Sequence, residues 1–348
     1  MTVGPSRRVS MTLHNEALPF KAPFRISGYT FNDMPATIVN LRDGDLRGRG
    51  EAAGVYYLTD EPVGMLATLE AMRETIESGI TRAQLRVQLP PGGARNALDC
   101  ALWELEAHRA GVPAWKLAGL AATRALLTTF TVSADDPDIM AAGAIAFSQA
   151  RAIKLKLTGE LDLDIHRVQA VRAARPDVWL GVDANQGYRP DSYMPLQRAL
   201  CAAGVSLLEQ PCRRGHEAEL DDIERLLPFA ADESVLSLAE IDAQKDRFDV
   251  INIKLDKCGG LTEGLLMVER ARELGLKVMV GNMAGSSWAA APAFVLGQHC
   301  DIVDLDGPVF LKQDRQPGVI YADGFIECPE AVWGGAGDRA AIGGAVST

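Results

Sequence analysis

From residue 127 onward, short β-branched or aliphatic runs alternate with segments of helical periodicity, and no other feature of the sequence narrows the fold as much. The runs cover 127–132, 152–157, 178–182, 205–208, 229–231, 250–254, 277–280 and 302–305. Strands separated by helices pair in parallel through right-handed crossovers, and eight of them predict a closed βα barrel. An open doubly wound sheet would use the same pattern, but no glycine-rich dinucleotide fingerprint follows the first run. Residues 123–310 are too few for a complete eight-helix barrel, whose usual size is about 250 residues. The expectation is an α/β fold, a (β/α)7β TIM-like barrel over 123–310 that lacks its last helix.

Residues 1–122 have a different texture. Strand-like segments at 10–13 and 36–41, with the turn residues Asp43-Gly44-Asp45 ahead of 48–51, predict a small antiparallel sheet. Amphipathic helices follow at 61–78 and 94–110. In the second, Ala97, Leu98, Ala101, Leu102 and Leu105 recur at i, i+3, i+4 spacing, and Gly111 supplies the stop. This predicts an N-terminal α+β capping domain over 1–122. Residues 311–348, with extended chain at 319–328, are expected to return to the cap and complete it, and the Gly/Ala-rich end from Trp333 is expected to be partly loose.

The chain has 348 residues and a formal net charge of −11, so the phosphate neutralisation that drives nucleic-acid binding has no basic source. The first twenty residues lack the unbroken apolar core of a signal peptide. The longest uncharged stretch, 278–300, contains Gly281, Asn282, Gly285, Pro292 and Gln298, which is poor material for a bilayer span. Six cysteines stand singly with no Cys-x-x-Cys pair, which favours reduced thiols and a cytoplasmic location. No nucleic-acid or membrane partner is expected, and homo-oligomerisation is left open.

The ionisable residues sit where the apolar runs stop: Lys154 and Lys156, Asp183, Glu209, Asp232, Lys254, then Asp304 and Asp306. From Lys156 to Lys254 they recur every 22 to 27 residues, the length of one βα unit. Successive strands therefore deliver one group each to the C-terminal end of the barrel, where such folds carry their active sites. Lys154 and Lys156 are two apart and share one face of a strand. Their repulsion is expected to lower the pKa of one toward neutrality, where an amine serves as a general base. Asp183, Glu209 and Asp232 come from adjacent strands and cannot stay close uncompensated; their hard oxygens suit one Mg²⁺ per chain, with Asn185 and Glu233 as supporting residues. Each residue taken singly reads as a cap, an ion pair or a solvated surface group. Together, with Lys254 almost half a turn of the barrel from Lys156, they invite one chemistry. One amine removes a proton α to a carboxylate, the metal stabilises the ene-diolate, and the other amine returns a proton to the opposite face.

The segments Lys154-Leu155-Lys156, Val182-Asp183-Ala184-Asn185, Leu208-Glu209-Gln210-Pro211, Ala231-Asp232-Glu233-Ser234 and Asn252-Ile253-Lys254-Leu255-Asp256-Lys257-Cys258-Gly259-Gly260, in this order, resemble the enolase superfamily and within it the muconate lactonizing enzyme subgroup. The likeness extends to the cap helix at 94–109. Asp304-Leu305-Asp306 at the eighth strand resembles the Asp-x-Asp of dipeptide epimerases, the class that includes L-Ala-D/L-Glu epimerase. Physically, such a pair would hold a dipeptide's ammonium group by charge-assisted hydrogen bonds. The resemblance implies Lys156 and Lys254 as the acid/base pair and Asp183, Glu209 and Asp232 as ligands of Mg²⁺. It also implies Thr131, Ser133, Lys154, Asn282, Met283, Asp304 and Asp306 as substrate-binding residues, with Lys154 touching the substrate carboxylate.

Specificity in this family is read from two cap loops, here about 23–31 and 51–58. Members that prefer glutamate place an arginine on the first loop. This chain has Arg25, but Ser27-Gly28-Tyr29-Thr30 contains no basic residue. Arg25 either binds a substrate carboxylate or pairs with Glu51 or another acid, in which case Tyr29, Tyr56 and Tyr57 would line a less polar pocket. The leading expectation is a Mg²⁺-dependent dipeptide epimerase. The alternatives are an N-acylamino acid racemase, an o-succinylbenzoate synthase or a muconate cycloisomerase on the same scaffold, none of which has a free ammonium group to bind. A histidine-based racemase is disfavoured, because the seventh strand ends in Gly281-Asn282 without a histidine. A barrel kept only for binding is disfavoured by the crowding of like charges.

Overall fold

The computed structural model describes residues 9–26 and 29–336. Residues 1–8, Ser27, Gly28 and the tail from 337, where the loose end was expected, lie outside the described residues. The chain opens with a three-stranded antiparallel sheet, β1 (Ser10–Ile26), β2 (Tyr29–Asp43) and β3 (Leu46–Ala52), in the order β1-β2-β3. The two segments expected as short strands belong to one long hairpin, which runs to the pair Ile26–Tyr29 past an irregularity between Pro19 and Phe24. Prolines 19, 23 and 35 break the apolar alternation and hide this hairpin in the sequence. They are tolerated because β1 is an edge strand and because β3 covers β2 only over Thr37–Asp43, leaving Pro35 beyond it. The helix expected over 61–78 is two helices, Pro62–Ala71 and Arg73–Glu77, broken at Met72. The helix Gly93–Ala110 ends on Gly111 in the left-handed conformation, as its sequence predicts.

The barrel follows. A two-residue strand β4 (Leu126–Leu127) precedes β5 (Thr129–Val132), β6 (Ala152–Lys156), β7 (Trp179–Asp183), β8 (Leu207–Glu209), β9 (Phe229–Ala231), β10 (Val250–Lys254), β11 (Lys277–Gly281) and β12 (Ile302–Val303). The last eight form one parallel sheet in sequential order. The ends of this sheet are joined through side chains. Thr129 Oγ1 donates to Asp304, the Thr131 amide donates to Asp306 Oδ2 at 2.6 Å, and the Leu305 amide donates to Thr128 Oγ1 at 2.9 Å. The result is a nearly closed barrel in which, among the described residues, no α-helix follows β12, only the 3-10 turn Gly307–Phe310. The economy goes further than the sequence implied, because only 3-10 turns follow β8 and β9. Two short strands, β13 (Ile320–Ala322) and β14 (Phe325–Glu327), pair with each other, and β14 pairs with β4.

Side-chain alternation positions the site. Leu207, Ala230, Val250 and Met279 form one apolar cluster, with Trp179 and Ile302 packed on it. Residues two or four further along each of these strands share that inward face. They are Asp183, Glu209, Asp232, Asn252, Lys254 and Asp304. The inward rows of β7, β8, β9, β10 and β12 thus run from apolar residues at the base to ionisable or amide groups at the mouth, whereas that of β11 passes from Met279 to Gly281.

Candidate active site

Asp183, Glu209 and Asp232 end adjacent strands and are 0%, 0% and 1% exposed. Each offers a carboxylate oxygen within 4.8 Å of those of the other two. Lys156 Nζ donates to Asp183 Oδ2 at 2.5 Å, and Lys254 Nζ donates to Asp232 Oδ2 at 2.7 Å. Lys156 leaves β6 and Lys254 leaves β10, four strands away in a sheet of eight. The two amines consequently approach the mouth from opposite sides. Both line each of two small cavities, of about 70 and 60 Å³, which also share Phe24, Asn282 and Ala284.

Two further residues, Asn252 and Lys257, donate to these carboxylates. Asn252 Nδ2 donates to Glu209 Oε1 at 2.6 Å, and Lys257 Nζ donates to Asp232 Oδ1 at 2.6 Å. Asn252 is two residues before Lys254, so the same alternation that singles out Lys254 places it inward. Lys257 lies on the short helix Leu255–Cys258, where strand alternation gives no signal. Gln210 supports Asp232 from behind, accepting from its amide at 2.9 Å.

Burial and Asp183 push Glu209 up to about 7. Asp232 is held below the usual carboxylate range, because Lys254 and Lys257 outweigh its burial. Burial, with Asp232 and Asp183 beside it, pushes Glu233 up to about 8. Glu209 Oε2, Glu233 Oε2 and Asn185 Oδ1 are buried without a hydrogen-bond partner. Three crowded hard carboxylates with an unsatisfied oxygen among them fit a divalent cation that takes oxygen ligands, such as Mg²⁺.

The expectation for Lys154 takes a different form. Its Nζ is bonded to Asp304 and lies 3.4 Å from Glu209 Oε2. Burial acts to lower its pKa, but Asp304, Glu209 and Asp183 outweigh it and hold the amine above its ordinary value. Lys154 is therefore embedded among carboxylates, with its charge absorbed by Asp304 and Glu209.

The remaining expected residues divide between the cavities. Thr131, Lys154, Asp304 and Asp306 line the smaller cavity, and Met283 lines the larger. Burial and Asp304 push Asp306 up to about 6. Asn282 is bonded to the Asp304 carbonyl at 2.5 Å and accepts from the Gly307 amide at 3.1 Å. Ser133 is half-buried beyond β5 and lines neither cavity. Arg25 also stands outside both; its guanidinium donates to Asp135 Oδ2 at 2.8 Å with its side chain 54% exposed. An aromatic wall was legible only in part. Phe24 packs at a tilt against Phe310 with ring centroids 4.9 Å apart, and Phe31, Tyr56 and Tyr57 follow one another at 5.1 and 5.2 Å.

Two family models cover the chain: the mandelate racemase / muconate lactonizing enzyme N-terminal domain matches residues 8–119, and the enolase C-terminal domain-like model matches residues 139–336. The chain belongs to this family, within the enolase superfamily. It is 35% identical over 317 residues to L-Ala-D/L-Glu epimerase of Escherichia coli, covering 91% of this chain and 99% of that protein. It is 36% identical to a hydrophobic dipeptide epimerase of Roseobacter litoralis, covering 90% and 94%. An enolase family member from Agrobacterium tumefaciens, solved with sodium and L-Ala-L-Glu, superposes with a TM-score of 0.90 at 36% identity, covering 94% of this chain and all of that one. With these relatives the chain is an isomerase. Among the described residues, no helix is long and apolar enough to cross a membrane.

Proposed function

We propose that the protein is a Mg²⁺-dependent dipeptide epimerase that inverts the α-carbon of the C-terminal residue by proton transfer between Lys156 and Lys254. The observation that carries this reading is the approach of these two amines to one cavity from strands half a barrel apart, beside three clustered carboxylates. One lysine takes the α-proton from one face and the other delivers a proton to the opposite face. Asp183, Glu209 and Asp232 would hold one Mg²⁺ per chain. When bound, that ion supplies positive charge beside the substrate carboxylate as the α-carbon becomes electron-rich.

Lys154, fixed by Asp304, adds a permanent positive charge facing the smaller of the two cavities that Lys156 and Lys254 line. Asp304 is already shared by Lys154 and Thr129, so Asp306 has more capacity left for the dipeptide ammonium group. Thr131, Asn282 and Met283 shape the remaining walls. The same reading divides the chain into cap (1–122), barrel (123–310) and a returning C-terminal segment (311–348). Bonds from Lys312 N to Pro19 O and from Trp333 Nε1 to Arg49 O, both 2.8 Å, support that division. A cytoplasmic location belongs to the proposal as well, supported by six free cysteines.

The test is deuterium incorporation at the α-carbon of L-Ala-L-Xaa dipeptides in D₂O, with Mg²⁺ and again after chelation. Exchange with Mg²⁺ that chelation abolishes and Mg²⁺ restores is the expected result. N-acetylated substrates distinguish the racemase alternative. If they turn over as fast as dipeptides, and Asp306→Asn slows neither, the ammonium-binding role is wrong.

A further inference from the structure

The two cavities at the mouth differ in chemistry, and the difference bears on which dipeptides fit. Lys156 and Lys254 line both, so the reacting carbon stands between them. Asp304 and Asp306 line only one, which assigns that side to the ammonium end. The side chain on the reacting carbon then points into the other cavity, walled by Phe31, Met34, Tyr56, Tyr57 and Met283.

From this we infer, resting on the epimerase reading above, that the enzyme prefers an apolar side chain, of leucine to phenylalanine size, on the residue it epimerises. Among the described residues lining this cavity, the cations are Lys156 and Lys254, bonded to Asp183 and Asp232. Its acids are Asp232 and Glu233, both buried, with Glu233 Oε2 lacking a hydrogen-bond partner. Arg25, the nearest basic residue in the cap hairpin's sequence, is spent on Asp135 at the surface. A side-chain carboxylate placed here, beyond the α-carboxylate, would be buried beside Asp232 and Glu233 with both lysines already bonded, which is strongly unfavourable. An apolar chain instead meets contiguous aromatic and thioether surface and releases water from it. The cavity, about 70 Å³, has room for on the order of five waters, about the bulk of a medium apolar side chain.

The experiment compares kcat/KM of the Mg²⁺-loaded enzyme on L-Ala-L-Leu, L-Ala-L-Met, L-Ala-L-Phe, L-Ala-L-Gln, L-Ala-L-Glu and L-Ala-L-Lys. The apolar three are expected to exceed L-Ala-L-Glu by about tenfold or more, with the isosteric neutral L-Ala-L-Gln between them. Arg25→Ala is expected to leave the Leu:Glu ratio within about twofold of the parent, because this exposed ion pair lines neither cavity. A preference for L-Ala-L-Glu, or a loss in Arg25→Ala confined to it, overturns the inference. A preference for L-Ala-L-Lys overturns it in favour of a cationic side chain recognised by Glu233. Either result leaves the epimerase reading standing, whereas absence of exchange on every dipeptide removes both.

Discussion

Two regions of this molecule bury carboxylates, and they do so in different ways. Within the cap and along its seam with the barrel, Glu51, Asp99, Glu104 and Asp256 are all buried, and no three of them gather as the mouth carboxylates do. Each is met by donors aimed at it. Glu104 accepts from the Arg49 amide at 2.7 Å and from its guanidinium, Asp99 from Thr262 N and Oγ1 at 2.9 and 2.6 Å, Asp256 from the Gly54 amide at 2.9 Å, and Glu51 from the Ser286 amide at 2.6 Å. At the barrel mouth Asp183, Glu209 and Asp232 crowd within 4.8 Å. Five of the seven buried side-chain atoms that lack a hydrogen bond among the described residues belong to this mouth: those of Tyr57, Asn185, Glu209, Glu233 and Asn252.

A shifted pKa does not separate the two regions. Burial pushes Asp256 up to about 7 at the seam, much as it pushes Glu209 at the mouth. Crowding and unfinished hydrogen bonding separate them. Completed partners mark acids that hold elements together, and incomplete ones mark acids awaiting a ligand.

Substitutions that remove one charge from each region sharpen this contrast. At the mouth, Glu209→Gln is expected to lower kcat/KM by about 10²–10³-fold while leaving the melting temperature unchanged or higher, since it relieves like-charge crowding. A large loss of stability with activity per folded molecule intact would reverse the assignment. At the seam, Glu104→Gln strands Arg49 in the interior and is expected to cost about 3 kcal/mol by denaturant titration. The surviving folded enzyme should keep its kcat. If instead kcat falls and stability holds, Glu104 belongs with the mouth.

The smaller effect concerns pH. Burial raises Asp99 to about 6 from its ordinary 3.8, against the bonds from Thr262. Between those values the folded state binds more protons than the unfolded, so stability is greatest below the ordinary value and falls as pH rises toward 6. Urea titrations from pH 4 to 6.5 should show this decline in the parent, amounting to about 3 kcal/mol at most. Asp99→Asn should make the decline shallower by that share without abolishing it, since Asp256 is also raised, to about 7; a decline of equal size in Asp99→Asn would place its origin elsewhere.

The barrel was legible because its strands are short, apolar and evenly spaced, and because six of the eight, all but the first and the seventh, end in ionisable residues. The order Lys156, Asp183, Glu209, Asp232, Lys254 therefore carried the arrangement of the mouth. The cap hairpin was less legible, since Pro19, Pro23 and Pro35 interrupt the alternation that marks a strand. Its pairing is set by Leu18, Phe20, Met34, Ala36 and Ile38, which pack with Leu311 from the far end of the chain. No local pattern reports a contact of that sequence separation. Lys257 was hidden for a similar reason, because it reaches Asp232 from a helical turn rather than from a strand. The destination of Arg25 depended on Asp135, which follows β5 in the barrel and is joined to the hairpin only by the fold.

The central claim is that Lys156 and Lys254 serve opposite faces of one carbon. The direct measurement is α-hydrogen exchange in D₂O, with Mg²⁺, for Lys156→Ala and Lys254→Ala, each tested on both epimers of a dipeptide that the parent enzyme turns over. Epimerisation should vanish in both variants. Each should lose exchange selectively for the epimer whose α-proton its missing amine removes, so that the two variants show opposite preferences. Exchange of both epimers at parental rates in either variant, or the same epimer lost in both, would contradict two lysines acting from opposite faces.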